Sequence, residues 1–176
     1  MIQELAMPPV PAAAPLSGET AYLCLGANVG DRAATLAQAL EMLEAAGVRV
    51  MACSALYETP PWGPIPQGPY LNQVVEVASP LPAHDLLDLA LSVERTLGRD
   101  RAREVRYGPR RIDIDILLFG SHACDDDVLQ IPHPRLLERA FVLVPLVEIA
   151  PDLVVDGTRA ADALRKVDTS GILRIA

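Results

Sequence analysis

IDIDILLFG, residues 112–120, is the stretch whose reading decides the fold. Ile112, Ile114 and Ile116 alternate with Asp113 and Asp115, and an apolar run closed by Gly120 follows. A period of two is that of a strand, so the isoleucines are predicted on a core face and both aspartates opposite. Immediately upstream, RDRAREVRYGPRR (99–111) reads as an arginine-rich loop. Before it, Leu86, Ala90, Val93 and Leu97 recur at helical spacing after Pro82, and Gly98 closes that helix. YLNQVVEVA (70–78) is a further strand, preceded by TPPWGPIPQGP (59–69). Five prolines and two glycines make that segment a stiff loop, and long loops in small domains are often functional. Nearer the N-terminus, AYLCLG (21–26) and VRVMACSALY (48–57) read as strands. Between them Leu36, Leu40 and Leu43 mark a helix that ends at Gly47. The order β-α-β-β-α-β predicts an α/β (α+β) fold, a ferredoxin-like split β-α-β sandwich. Helical additions are expected around FVLVPLVEIA (141–150) and residues 159–166, after a polar turn SHACDDD (121–127).

Composition narrows the function classes. The 176 residues suit one domain, and 51% hydrophobic with 22% charged residues excludes wholesale disorder. A net charge of −8 argues against general binding to nucleic acid or to a membrane surface. Lys166 is the only lysine among fifteen basic residues, so lysine-based phosphate loops are excluded. No apolar run approaches the ~20 residues a bilayer span needs. Cys24, Cys53 and Cys124 are scattered, which predicts reduced thiols in the cytoplasm, with neither a disulfide framework nor a zinc-type spacing. Residues 1–19 carry a Pro/Ala-rich stretch from Pro8 to Pro15 and no secretory signal. They are expected to be a flexible extension ahead of a single domain, 20–176.

Asp113 and Asp115 should lie roughly 6.6 Å apart between Cα atoms, from a rise of about 3.3 Å per residue. Adjacent carboxylates repel, and a magnesium ion held through oxygen ligands relieves that repulsion. A solvated acidic strand face gives the same pattern. Residues 95–111 hold seven arginines against two acids, and guanidinium forks grip phosphate oxygens. Such a cluster is expected to repel itself until phosphate neutralises it. A solvated loop or a nucleic-acid patch would look similar. In PHPRLLERAF, His133, Arg135 and Arg139 add cationic or hydrogen-bonding groups, and Phe141 adds an aromatic face. Trp62, Tyr70 and Asn72 supply flat surfaces and an amide suited to a planar heterocycle, although core packing would also account for Tyr70.

Five stretches in this order resemble the 6-hydroxymethyl-7,8-dihydropterin pyrophosphokinases of folate biosynthesis. They are YLCLGANVGDR (22–32), YETPPWGP (57–64), PYLNQVVEV (69–77), GR…RYGPRRIDIDILLFG (98–120) and IPHPRLLERAFVLVPLVEIAP (131–151). The resemblance implies ATP- and magnesium-dependent transfer of diphosphate to the pterin hydroxymethyl group with release of AMP. It implies two magnesium ions on Asp113 and Asp115, and a catalytic role for these together with Arg99 and Arg110. Glu94, Arg101, Arg110, His133 and Arg139 fall at nucleotide positions, with Arg103 an alternative to Arg101. Thr59, Pro60, Trp62, Tyr70, Asn72 and Phe141 fall at the pterin pocket, Tyr70 and Phe141 as a stacking pair. Tyr107 stands where a tryptophan is usual. The expected partners are ATP and the pterin, acting on a cytoplasmic monomer without nucleic acid or membrane.

Overall fold

β1 (Glu19–Ala27) runs through the middle of the sheet, with Ala21, Leu23, Leu25 and Ala27 fully buried on one face. The structure is a computed structural model and describes residues 18–61, 63–104 and 108–175. Asp31 opens α1 (Arg32–Ala45) by accepting a hydrogen bond from the Ala34 N–H at 3.1 Å, which satisfies one of the free donors of the first turn. After α1 come β2 (Arg49–Cys53), β3 (Tyr57–Thr59), β4 (Tyr70–Ser79), α2 (Ala83–Thr96) and β5 (Asp113–Phe119). β1 pairs with β4 on one side and β5 on the other, while β2 and β3 both pair with β4, all antiparallel. This is the ferredoxin-like order: each helix crosses over one strand, and the skipped strand fills the gap.

The single strand expected over residues 48–57 is in fact two. The Ser54 hydroxyl accepts the Val74 N–H at 3.0 Å, and the Glu148 carboxylate accepts the Ala55 N–H at 2.9 Å. Side chains thus replace main-chain partners there, and the ladder breaks between β2 and β3. A second irregularity lies in β5. Tyr22 pairs with Leu118 but Leu23 pairs with Ile116, so Leu117 is an extra residue, a bulge.

The helices cover both faces of the sheet. Leu36, Ala39 and Leu43 of α1 and Leu86, Ala90 and Val93 of α2 pack on Leu23, Leu25, Val75, Val77, Ile114 and Ile116. Burying each of the larger side chains contributes about 1.5–3 kcal/mol. Beyond β5 the chain forms a small hairpin of β6 (Cys124–Asp125) and β7 (Gln130–Ile131) where a plain turn was expected. α3 (Ala140–Ile149) follows, then the hairpin β8 (Val154–Val155) and β9 (Thr158–Arg159), and α4 (Ala160–Leu164). Val142, Leu143, Leu146, Ala160 and Ala163 from these helices pack on Cys24, Val74 and Leu117, on the sheet face away from α1 and α2. Finally β10 (Leu173–Arg174) adds itself to the outer edge of β3. α3 leaves the far end of its sheet face uncovered, where Gly26, Asn72 and Asp113 form the floor of a cleft. Among the described residues no helix is long and apolar enough to cross a membrane.

Candidate active site

Register decides what the cleft floor contains. Asp113 pairs with Gly26 and Asp115 with Cys24 across β5 and β1, and Gly26 pairs with Asn72 across β1 and β4. Ile112, Ile114 and Ile116 are buried in the helix-side core, so both aspartates take the opposite face, as their alternation requires. Gly26 has a steric reason: a Cβ there would meet the Asn72 Oδ1 at 2.6 Å. The cleft is open to solvent and encloses about 130 Å³, below the ~300 Å³ at which small-molecule sites usually begin. Thr59, Pro60, Tyr70, Asn72, Arg110, Asp113, Asp115, Arg139 and Phe141 line it together.

The two aspartates, equivalent in the sequence, are unlike in the structure. Asp113 takes Arg99 Nη1 on one oxygen and Arg110 Nη1 on the other, each at 2.6 Å. Burial opposes its charge, but Arg99 and then Arg110 hold its carboxyl below the usual range. The cationic neighbour of Asp115 is Arg139, with Nη1 3.9 Å from Oδ2. Burial, and next the charge on Asp113, push Asp115 up to about 7. Its side chain is still 37% exposed, so water moderates that rise.

The arginine cluster is not a set of self-repelling charges, contrary to expectation. Arg99 donates to Glu104 at 2.8 and 3.0 Å and its Nη1 lies 2.8 Å from Glu94. Arg101 meets Glu94 at 2.8 Å, and Arg103 meets Asp100 at 3.3 Å. Glu94 is 1% exposed and also accepts the Ile114 N–H at 2.8 Å, so it ties α2, the loop and β5 together. Its carboxylate therefore faces inward to protein groups. Gly98, at φ +92°, lets the chain reverse after α2 so that the Arg99 N–H reaches the Glu94 carbonyl. Arg110 keeps its buried Nε without a hydrogen-bond acceptor among the described residues; Glu104 stands 3.9 Å away.

The other half of the cleft is aromatic and amide. The Asn72 amide donates to the Thr59 hydroxyl at 2.7 Å, which fixes which way the amide faces. Tyr70 donates its hydroxyl to the Gly108 carbonyl at 3.2 Å, and Arg139 lies 5.5 Å from the centre of the Phe141 ring. Cys24, in the floor, is pushed up by burial and by Asp115, so it stays a thiol rather than a nucleophile. His133 is pushed down to about 4 by burial and then Arg139. Its Nδ1 accepts the Arg135 N–H at 3.1 Å, which leaves a neutral ring with an Nε2 donor. Trp62, Tyr107 and Arg106 lie outside the described residues.

Sequence reasoning missed the residues that brace this cleft. Asn28 accepts the Arg110 N–H at 2.7 Å through Oδ1, while its amide donates to Gln67 and Gly68. It therefore joins the end of the proline loop to the arginine loop. Arg32 donates to the Pro69 carbonyl at 2.8 Å and to Glu58 at 2.7 Å. Glu148 accepts from the Ala55 N–H, the Tyr57 hydroxyl and Arg174, which fastens α3, β3 and β10. An asparagine in a tight strand-to-helix turn was the one readable signal.

The donor set fits a magnesium ion. Carboxylate oxygens are the ligands hard cations select, and Asp115 lacks the close guanidinium that neutralises Asp113. Fold and cleft together define an α/β protein whose cleft sets Tyr70, Phe141 and the Asn72 amide beside a carboxylate floor flanked by Arg110 and Arg139.

Comparison with known proteins makes the class specific. The sequence profile of 7,8-dihydro-6-hydroxymethylpterin-pyrophosphokinase matches residues 22–151, and the chain belongs to this family of diphosphate-transferring enzymes. It is 53% identical over 156 residues to a 2-amino-4-hydroxy-6-hydroxymethyldihydropteridine pyrophosphokinase of Methylorubrum extorquens, covering 88% of this chain and 98% of the relative. A protein of the same name from Bacillus subtilis is 45% identical, covering 80% of this chain and 83% of the relative. Among solved structures, wild-type Plasmodium falciparum HPPK-DHPS with pteroate matches with a TM-score of 0.65 at 15% identity. That match covers 84% of this chain but 42% of the larger one, so the chain spans under half of it and the likeness speaks for the fold.

Proposed function

We propose that this chain transfers the β,γ-diphosphate of ATP to the hydroxymethyl group of 6-hydroxymethyl-7,8-dihydropterin and releases AMP. The observation that carries the reading is the joining, in one cleft, of Asp113, Asp115, Arg110 and Arg139 to Tyr70, Asn72, Thr59, Pro60 and Phe141. The pterin ring would lie between Tyr70 and Phe141, with its polar edge against Asn72 and Thr59 and Trp62 contributing from the proline loop. Arg110, Arg139 and the neutral His133 would take the ATP phosphates, with Arg101 at the outer side of the loop. Asp113 and Asp115 would hold magnesium, two ions by the family resemblance, which neutralises phosphate charge and polarises the reacting oxygens.

Attack is in line: the pterin hydroxyl oxygen forms a bond to the β-phosphorus as the bond from that phosphorus to the bridging oxygen of AMP breaks. The hydroxyl proton goes to solvent. Positioning and charge stabilisation carry such a transfer, since little covalent work falls to the protein. Arg99 and Arg110, now on Asp113, are the guanidiniums that would turn toward phosphate as the carboxylate takes a metal. Cys24 and His133 offer no anionic base, consistent with a hydroxyl activated electrostatically. The domain is read as residues 20–176, working as a cytoplasmic monomer, with residues 1–18 dispensable and Glu19 kept as the first residue of β1.

Incubation with ATP, magnesium and the pterin, followed by nucleotide chromatography, tests this. AMP appearing in step with pterin consumption supports the proposal. ADP would assign a transfer of one phosphoryl group to the same cleft.

A further inference from the structure

His84, Cys124 and Asp126 are distant in sequence and adjacent in space, which is why spacing alone excluded a zinc motif. His84 sits in the first turn of α2, and Cys124 and Asp126 belong to the hairpin after β5. His84 Nε2 is 2.7 Å from Asp126 Oδ2, and Cys124 Sγ is 3.4 Å from the same oxygen. One ligand atom from each lies within 4.8 Å of the others. Asp126 is held in place: its Oδ1 accepts the Val128 and Leu129 N–H groups at 3.0 and 2.8 Å, which aims Oδ2 at the histidine and the thiol.

We propose that these three side chains form a binding site for a zinc-class divalent cation, separate from the catalytic cleft. Sulfur, imidazole nitrogen and carboxylate oxygen make a borderline-soft donor set that favours zinc over magnesium, which selects oxygen alone. Bonds of about 2.0–2.3 Å in a tetrahedron put ligand atoms roughly 3.3–3.8 Å apart. The observed 2.7 and 3.4 Å need only a small spreading of the His84–Asp126 pair. Those two side chains are 52% and 44% exposed, so a hydrated ion reaches them without unfolding the chain. His122 lines the same surface groove as His84 and Cys124, and offers a further imidazole. Three protein ligands leave a position for water or for His122. On binding, the Cys124 thiol proton passes to solvent and a sulfur–metal bond replaces it, with no change of oxidation state. The site lies past the C-terminal end of β5, whereas Asp113 begins that strand of seven residues. At about 3.3 Å per residue the two ends are ~20 Å apart.

Titration of the full chain, free of magnesium, with cobalt(II) as the zinc probe tests the site. A sulfur-to-cobalt charge-transfer absorption should saturate at one ion per chain and be displaced by zinc. Cys124→Ser should abolish it, His84→Ala should weaken binding about tenfold or more, and Cys53→Ser, at the exposed thiol, should leave it intact. Zinc should raise the melting temperature of the unmodified chain and not of Cys124→Ser, while that variant keeps its turnover. Absence of the charge-transfer absorption, or its survival in Cys124→Ser, would overturn the proposal. The pair would then be only an ion-paired staple between α2 and the hairpin.

Discussion

Replacing each cleft aspartate by asparagine, in the absence of metal, should move stability in opposite directions. Asp113 receives two guanidinium hydrogen bonds at 2.6 Å, and charge-assisted bonds contribute about 1.5–3 kcal/mol each. Asparagine keeps one acceptor, and Arg99 keeps Glu94 and Glu104, so the net loss for Asp113→Asn comes to about 2 kcal/mol. For a chain of this size that is a fall of about 4–8 °C in Tm. Asp115 is the reverse case: its raised carboxyl favours the neutral form, so its ionised form costs stability as pH rises through that value. With its exposed side chain screened by water, Asp115→Asn gains on the order of 0.5 kcal/mol above neutrality and roughly half of that in mild acid, where the unfolded carboxyl is already ionised. The lowered carboxyl of Asp113 has the other sign: its contribution is present above the ordinary carboxylate range and fades as acid protonates it. Thermal melts with chelator at about pH 5.5 and about pH 8.5 read both effects. Shifts of the same sign in the two variants at the higher pH would refute the assignment of unlike roles.

Glu94→Gln should destabilise by about 3 kcal/mol, because it leaves buried Arg99 and the Ile114 N–H short of a charged acceptor; calorimetry checks this, and a shift within error would remove Glu94 as the hub. Ending the chain at Asp168 removes β10 and Gly171, which passes so near Pro60 that a Cβ on it would meet the Pro60 ring at 2.8 Å. The KM for the pterin should rise about tenfold with kcat little changed, as expected when ground-state positioning is lost; an unchanged KM would detach the C-terminal strand from the cleft.

The alternation of Ile112 to Ile116 was legible because period two has one structural solution, and the leucine spacings of α1 and α2 were legible for the same reason. The break between β2 and β3 was not, since it depends on Ser54 and on Glu148 arriving from 93 residues away along the chain. The pairing of β10 with β3 is equally non-local, whereas the hairpin of β6 and β7 is local but its strands of two residues are too short to show a period. At the cleft, sequence placed Asp113 and Asp115 on one face but treated them as equal. Their difference comes from how Gly98 folds Arg99 back onto Asp113, which only the three-dimensional path determines. The arginines looked unneutralised because their carboxylate partners include Glu94, on the preceding helix, and Asp113, on the following strand.

ATP labelled at its β-phosphorus distinguishes what is transferred. Incubated with this chain, magnesium and 6-hydroxymethyl-7,8-dihydropterin, the label should leave the nucleotide and appear in the pterin product, with unlabelled AMP left behind. Label retained in ADP, with none on the pterin, would contradict diphosphate transfer and the mechanism built on it.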